Sequence, residues 1–388
     1  MSHPTRVSIL GATGSIGTST LRVLDHNPDQ FSVVSVVAQR NVERLADIAL
    51  RTRAEFAAVA DERQFAALKD RLSGSDVEVG AGLEAIAEAA SRQADVVVSA
   101  ITGYAGLRST LAAARSGANL ALANKEAMVT AGTMVKAALA QGGGTLIPVD
   151  SEHAALFQSL WGQDRNAITQ LILTASGGPF RDWTKDDIHH ATAAQALKHP
   201  NWDMGAKVTI DSASMMNKGL ELIEAQQIFE IAPERLDVVV HPQSIIHSLV
   251  AYNDGGQLAQ LGVPDMQTPI SAALRWPKRT KTAVPPLDLA QYGSLTFEPP
   301  DRDRFPCLAL AEAAMQQGGA MPIALNAANE VAVSAFLDGM FGFGGIAEVV
   351  EEVLEQSSFS APESLDEITV IDADSRTKAH AALVKIAK

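Results

Sequence analysis

Residues 6–26, "RVSILGATGSIGTSTLRVLDH", open with an apolar run, pass through three glycines and resume with helical spacing. A strand, a glycine turn and a helix in that order form the first half of a βαβ unit. Gly11, Gly14 and Gly17 meet the demands of a dinucleotide turn: a tight bend, close backbone approach to a pyrophosphate, and a helix N-terminus aimed at the anion. The unit repeats downstream. "FSVVSVV", "FAAVA", "ADVVVSAI", "NLALA" and "GTLIPV" read as further strands, and "VERLADIALR", "LRSTLAAARSG" and "KEAMVTAGTMVKAALAQ" as helices between them. Residues 1–150 are therefore expected to form an α/β domain, a Rossmann-like doubly wound parallel sheet.

The second strand identifies the dinucleotide. NAD enzymes place an acid at its end, about 20 residues past the glycines, to hold the ribose hydroxyls. This chain has Ala38-Gln39-Arg40-Asn41 there instead. With no carboxylate to repel a 2′-phosphate and Arg40 able to pair with one, NADP is favoured.

Past residue 150 the texture changes. "LILTASGGPF", the polar loop "ALKHPNWDMGAK", the helical "MMNKGLELIEAQQIF" and the strands of "RLDVVVHPQSIIHSLVAYNDGGQLAQLG" predict an α+β catalytic domain over 151–275, with an antiparallel sheet. Asn253-Asp254-Gly255-Gly256 is its hairpin signal, and such a sheet can also pair subunits. Pro277, Pro285, Pro286, Pro299 and Pro300 mark 276–301 as an extended linker. Amphipathic stretches beyond it predict a helical bundle over 302–388.

Composition narrows the class. Of the 388 residues 47% are apolar and 20% charged, the balance of a folded globular chain. A net charge of −14 with scattered basic residues offers no cationic face to nucleic acid or anionic lipid. The lone Cys307 sits among Phe305, Pro306 and Leu308, and reads as a packed small side chain. With no leader-like start and no apolar run of about 20 residues, a cytoplasmic protein is expected.

"PVDSEH" carries the chemistry. Asp150 closes the strand "GTLIPVD" at the carboxyl edge, where open α/β sheets hold ligands. If the chain stays extended, Asp150 and Glu152 project to one side, and a divalent cation would relieve their repulsion. The same acids could instead cap and open a helix, since "DSEHAALFQSL" is compatible with one. An all-oxygen donor set selects Mg²⁺ or Mn²⁺ over zinc. On a helix, Glu221 lies one turn from Asn217 and Lys218, with Ser212 upstream, a set suited to a metal on one side and a phosphorylated substrate on the other. Ser176 with Gly177 and Gly178 offers a second anion loop, and His199 and Trp202 belong to a lid-like loop. His153, His199, His241 and His247 are not needed as ligands of a hard ion.

"GATGSIG", "LANKE", "PVDSEH", "TASGGPF", "HPNWDMG", "DSASMMNKGLE", "HPQSIIHS" and "ALNAANE" occur in the order and nearly the spacing of one family. The chain closely resembles the 1-deoxy-D-xylulose 5-phosphate reductoisomerases. The resemblance implies NADPH contacts at Thr13, Gly14, Ser15 and Ile16, and at Arg40 and Asn41, where Gln39 stands in place of a family glycine. It adds Asn124, Glu126 and Gly205 to the NADPH set. It implies a metal triad of Asp150, Glu152 and Glu221, and a substrate-phosphate set of Ser176, Ser212, Asn217 and Lys218. Lys125, Ser151, His199 and Trp202 complete the substrate-facing residues, with Lys218 and His199 beside the acids as catalytic groups. The implied reaction is rearrangement of 1-deoxy-D-xylulose 5-phosphate and reduction to 2-C-methyl-D-erythritol 4-phosphate in a homodimer. Two rival readings are an NADP-dependent dehydrogenase of another phosphorylated carbonyl compound and a non-catalytic dinucleotide sensor.

Overall fold

The computed structural model describes residues 3–202 and 204–386. The outermost residues of the first and last expected domains, and Asp203 of the lid-like loop, lie outside that description. The chain divides into two compact units: residues 1–127, 133–157 and 265–286, and residues 128–132, 158–264 and 287–388.

The first unit is built on a seven-stranded sheet. Its strands are β1 (Thr5–Leu10), β2 (Phe31–Ala38), β3 (Phe56–Val59), β4 (Glu78–Ala81), β5 (Val96–Ser99), β6 (Asn119–Leu122) and β7 (Leu146–Pro148). The order β4-β3-β2-β1-β5-β6-β7 is parallel throughout. Buried Val7, Ile9, Val36, Val96 and Val98 show why the strand patterns are almost continuously apolar: helices cover both faces. The winding reverses at β1, which pairs with β2 on one side and β5 on the other. A ligand crevice opens at the carboxyl ends of such a switch point.

Three features go beyond the sequence expectation. Strand β4 was not anticipated, because "EVGA" is short and leaves Glu78 exposed at the sheet edge. Residues 151–157 stay with the first unit, and so do residues 265–286. The helix Gln267–Arg275 puts Ile270, Ala273 and Leu274 into the core of the first sheet. Burial of a side chain such as Ile270 or Leu274 contributes about 1.5–3 kcal/mol. Beyond that helix, the Asn27 amide donates to the Lys281 carbonyl at 2.8 Å, so the start of the proline-rich stretch is tied down rather than free.

The second unit carries β8 (Ile168–Ala175), β9 (Leu236–Val240), β10 (Ile246–Tyr252) and β11 (Gln257–Leu261) in the order β11-β10-β8-β9. The anticipated hairpin joins β10 to β11, with Gly255 at φ +84° and the Tyr252 N–H donating to the Gly256 carbonyl at 2.9 Å. The sheet is mixed rather than wholly antiparallel, because β8 and β9 are parallel. The long crossover between those two strands contains the helices Ala206–Ala213 and Met216–Phe229, which is what a parallel pair needs. The C-terminal helices Pro306–Gln317, Met321–Leu337, Gly345–Glu355 and Leu365–Ile386 pack within this same unit. A Cβ at Gly219 would lie 2.3 Å from the Ala311 Cβ, so the Met216–Phe229 helix sits directly on Pro306–Gln317. Cys307, on the latter helix, is buried. Among the described residues no helix is long and apolar enough to cross a membrane.

Candidate active site

In the first unit, the turn after β1 uses its glycines differently. Gly11 holds φ +93°, and a Cβ there would come within 2.6 Å of the Ala100 carbonyl oxygen on the neighbouring β5 loop. At Gly17 a Cβ would meet Ala12 and Gly11 backbone atoms at 2.5 Å, so this residue sets the close packing of the helix Ser15–Asp25 on its strand. Gly14 is otherwise: the nearest protein atom to a Cβ would be the Gly11 carbonyl oxygen at 3.4 Å. Packing does not require glycine there, whereas a pyrophosphate held against the helix N-terminus does. Thr13, Gly14, Ser15 and Ile16 form this turn and the helix start.

Asn124 closes the neighbouring edge. Its side-chain oxygen caps the helix Lys125–Gly142 by accepting from the Ala127 N–H at 2.7 Å, while its amide donates to the Ile101 carbonyl and, at 2.9 Å, to that of Gly103. The loops after β1, β5 and β6 therefore converge, with Glu126 buried in the first turn of the capped helix. At the end of β2, the Asn41 side chain caps the helix Val42–Thr52 through the Arg44 N–H at 3.1 Å. Arg40 is exposed, and its Nε lies 3.4 Å from Asp61 Oδ2, an acid the sequence reading had not associated with this edge.

The acids of "PVDSEH" do not continue an extended strand. Strand β7 stops at Pro148, and the helix Ser151–Ser159 begins at once, with the Ala154 N–H donating to the Asp150 carbonyl at 2.8 Å. Period-2 projection therefore gives way to a helix start: Asp150 flanks it and Glu152 lies in its first turn, where the helix dipole favours ionised carboxylates. Lys125 Nζ approaches Asp150 Oδ2 at 2.6 Å, both side chains largely buried, and the Ser151 hydroxyl donates to Glu152. Lys125, Asp150, Ser151 and Glu152 thus form one group at the carboxyl edge of the first sheet.

The second unit gathers the anion-binding candidates. Gly178, at φ +66°, lies against the Ser212 backbone, where a Cβ would meet the Ser212 carbonyl oxygen at 2.9 Å; this brings the loop after β8 to the end of the Ala206–Ala213 helix. His199 Nδ1 accepts the backbone N–H groups of Asn201 at 3.1 Å and Trp202 at 2.9 Å. Its proton therefore resides on Nε2, which donates to Ser176 Oγ at 3.0 Å. Ser176 Oγ also accepts from the Gly178 N–H at 3.2 Å, so its own hydrogen is left to donate outward. Burial lowers the His199 pKa to about 4, consistent with a neutral ring. Gly205 is the N-cap of the Ala206–Ala213 helix.

Met215, at φ +60°, turns the chain into the Met216–Phe229 helix, whose first turn carries Asn217 and Lys218. Lys218 Nζ lies 2.5 Å from Glu221 Oε2 and the Asn217 amide donates to Glu221 Oε1, all on one helix face. Lys218 and Glu221 are buried. A buried ammonium and carboxylate held together at a helix N-terminus make a costly arrangement in the absence of a functional demand. One further tie escaped the sequence. Buried Asp211, beside Ser212, accepts from the Asn329 amide at 2.8 Å and pairs with Lys207 at 2.9 Å, fixing the serine-bearing helix to the Met321–Leu337 helix. The motif "ALNAANE" signalled this position but not its partner.

Known proteins match this chain along most of its length. A family model described as 1-deoxy-D-xylulose 5-phosphate reductoisomerase matches residues 7–132, the C-terminal domain model of that name matches 146–229, and a model described as DXP reductoisomerase C-terminal domain matches 261–378. The reductoisomerase of Zymomonas mobilis is 49% identical over 383 residues, covering 99% of each chain. That of Rhodospirillum centenum is 52% identical over 370 residues, covering 95% of this chain and 92% of its own. Among solved structures, the Zymomonas mobilis reductoisomerase in complex with NADPH superposes with a TM-score of 0.92 at 48% identity, over 98% of this chain and 99% of that one. A DOX-P reductoisomerase in complex with NADPH, fosmidomycin and magnesium gives 0.93 at 42% identity, over 98% of both chains. The chain belongs to the 1-deoxy-D-xylulose 5-phosphate reductoisomerase family.

Proposed function

We propose that this protein converts 1-deoxy-D-xylulose 5-phosphate to 2-C-methyl-D-erythritol 4-phosphate, an isomerisation and reduction dependent on NADPH and a divalent metal, in the non-mevalonate route to isoprenoid precursors. Family membership along nearly the whole chain is the observation that carries this reading. The first unit would bind NADPH through Thr13, Gly14, Ser15, Ile16, Gln39, Arg40, Asn41, Asn124 and Glu126, joined by Gly205 of the second. The fit of Gly14, whose missing side chain the protein's packing does not require, supports it. Asp150, Glu152 and Glu221 would hold Mg²⁺ or Mn²⁺, in keeping with donors that are all carboxylate oxygens. When bound, the cofactors supply a hydride and a Lewis acid that polarises adjacent substrate oxygens.

The chain's own residues do the positioning. The Ser176 hydroxyl, its acceptor side filled by His199 and Gly178, would donate to a substrate phosphate oxygen. Ser212, the Asn217 amide and the Lys218 ammonium would complete that grip. Held there, the phosphate is a remote handle whose binding energy orients the reacting carbons and closes the loop carrying His199 and Trp202. Lys125 and Ser151, tied to Asp150 and Glu152, would face the substrate from the other acids. We expect a cytoplasmic homodimer paired through the sheet that ends in β11, where Leu258 is exposed.

The test is to mix the protein with NADPH, 1-deoxy-D-xylulose 5-phosphate and Mn²⁺ and follow loss of nicotinamide absorbance with and without chelator. Metal-dependent oxidation is expected. Oxidation that survives thorough chelation would point to a simple NADP-dependent dehydrogenase instead.

A further inference from the structure

We propose that Arg63, gripped by Asp61, determines the preference for NADPH over NADH, acting with Arg40 as a second guanidinium at the edge where the adenosine ribose is read. The inference rests on the first unit being the NADPH-binding unit.

The position comes from the sheet. Past the ends of β2 and β3 the pairing continues: the Ala60 N–H donates to the Ala38 carbonyl at 2.9 Å and the Asp61 N–H to that of Gln39 at 3.0 Å. Asp61 is thereby laid beside Gln39 and Arg40, the place where a dinucleotide fold distinguishes a ribose hydroxyl from a 2′-phosphate. An acid here is what an NAD enzyme uses to hold the hydroxyls, and it would repel a phosphate. This chain has the acid after all. It is supplied by the neighbouring strand, which is why residues 39–41 alone do not reveal it.

What changes its meaning is Arg63. Its Nε and Nη2 reach the two Asp61 carboxylate oxygens at 2.8 and 2.7 Å, and its backbone N–H adds a third contact at 3.2 Å. Arg40 Nε approaches the same carboxylate at 3.4 Å. Two guanidiniums against one carboxylate leave the cluster with a net positive charge. Only 11% of the Asp61 side chain is exposed, against 69% for Arg40 and 78% for Arg63. The carboxylate is covered and the cations face solvent. Asp61 is held down to about 2 by its hydrogen bonds to Arg63, so it stays ionised and the grip persists through the neutral range. A guanidinium has five N–H donors, and Arg63 spends two on Asp61. The remaining three are available to a phosphate, while the pair cancels the charge that would repel it. Asp61 is therefore a positioning residue and Arg63 the specificity residue.

The experiment measures dissociation constants for NADPH and NADH by nicotinamide fluorescence, with neither substrate nor metal, on wild type, Arg63→Ala, Arg63→Lys, Asp61→Asn and the double variant Asp61→Asn/Arg63→Ala. Arg63→Ala is expected to weaken NADPH about tenfold or more while NADH holds or tightens, so the preference ratio falls. Arg63→Lys, which keeps the charge but not the fork, should lie between. Removing the uncovered acid in the double variant should recover part of the NADPH affinity lost in Arg63→Ala. An unchanged ratio in Arg63→Ala would overturn the inference; if that variant fails to fold, an unchanged ratio in Arg63→Lys would do so. A wild-type protein with no preference for NADPH would instead sink the cofactor assignment of the first unit.

Discussion

His199 gives its Nε2 proton to Ser176 Oγ across 3.0 Å, while its Nδ1 is filled by the Asn201 and Trp202 backbone N–H groups. Protonating Nδ1 would break both backbone bonds at once. Burial adds to the penalty and lowers the ring pKa from 6.5 to about 4, and buried His247 on β10 is lowered to about 4 as well.

The sign of the pH dependence follows. Between about pH 4 and 6.5 the unfolded chain binds protons at both histidines that the folded chain does not, so stability rises with pH across that window. Denaturant midpoints should climb from pH 4.5 to 6.5 and lose this contribution to their slope above it (roughly the ordinary histidine range). Replacing His199 with Asn should flatten part of the climb. A midpoint insensitive to pH in the wild type would contradict the neutral-ring assignment.

Glu221→Gln removes the charge that answers buried Lys218 and one oxygen donor of the proposed metal set. Turnover should fall by at least about a hundredfold, a loss in keeping with the several kcal/mol a Lewis acid supplies. NADPH affinity, to which Glu221 is not proposed to contribute, should change by less than about twofold (well under 1.4 kcal/mol). Steady-state rates beside a fluorescence titration distinguish this from global damage, which would lower both.

Gly14→Ala and Gly17→Ala should separate binding from folding. Alanine at 17 forces a contact of 2.5 Å on backbone atoms and should cost about 1–3 kcal/mol of stability, read from denaturant unfolding. Alanine at 14 meets nothing nearer than 3.4 Å, so Tm should hold while NADPH affinity drops. Equal destabilisation by both would remove the reason for assigning Gly14 to the cofactor.

Asn329→Leu takes the amide from Asp211 and leaves that carboxylate with Lys207. The loss should be about 1–3 kcal/mol. Because Ser212 follows Asp211, KM for the phosphorylated substrate should rise more than kcat falls. Unchanged KM with lower stability would make this tie purely structural.

The alternation of strands and helices made the first sheet legible, since strands buried on both faces announce themselves as apolar runs. Strand β4 escaped because Gly80 and an exposed Glu78 give it neither an apolar run nor a clean alternation. "PVDSEH" suits both an extended strand end and a helix start, and only the chain's path after Pro148 decides for the helix. The parallel pairing of β8 and β9 depends on where a long crossover lands, which no local pattern encodes. The roles of Asp61 and Asn329 were hidden for a related reason: each matters through a partner distant in the sequence, Arg40 on the adjoining strand end and Asp211 on another helix.

Cys307 has a practical consequence. It is the chain's single thiol, buried and pushed up to about 12, so the folded protein presents almost no thiolate to an alkylating reagent at neutral pH. Labelling must wait for the Pro306–Gln317 helix to come away from its neighbours, and the Met216–Phe229 helix bearing Lys218 and Glu221 rests on that same helix through Gly219. The rate at which a thiol dye is consumed therefore acts as a clock for the opening of the second unit, and whatever binds and steadies that unit should slow it.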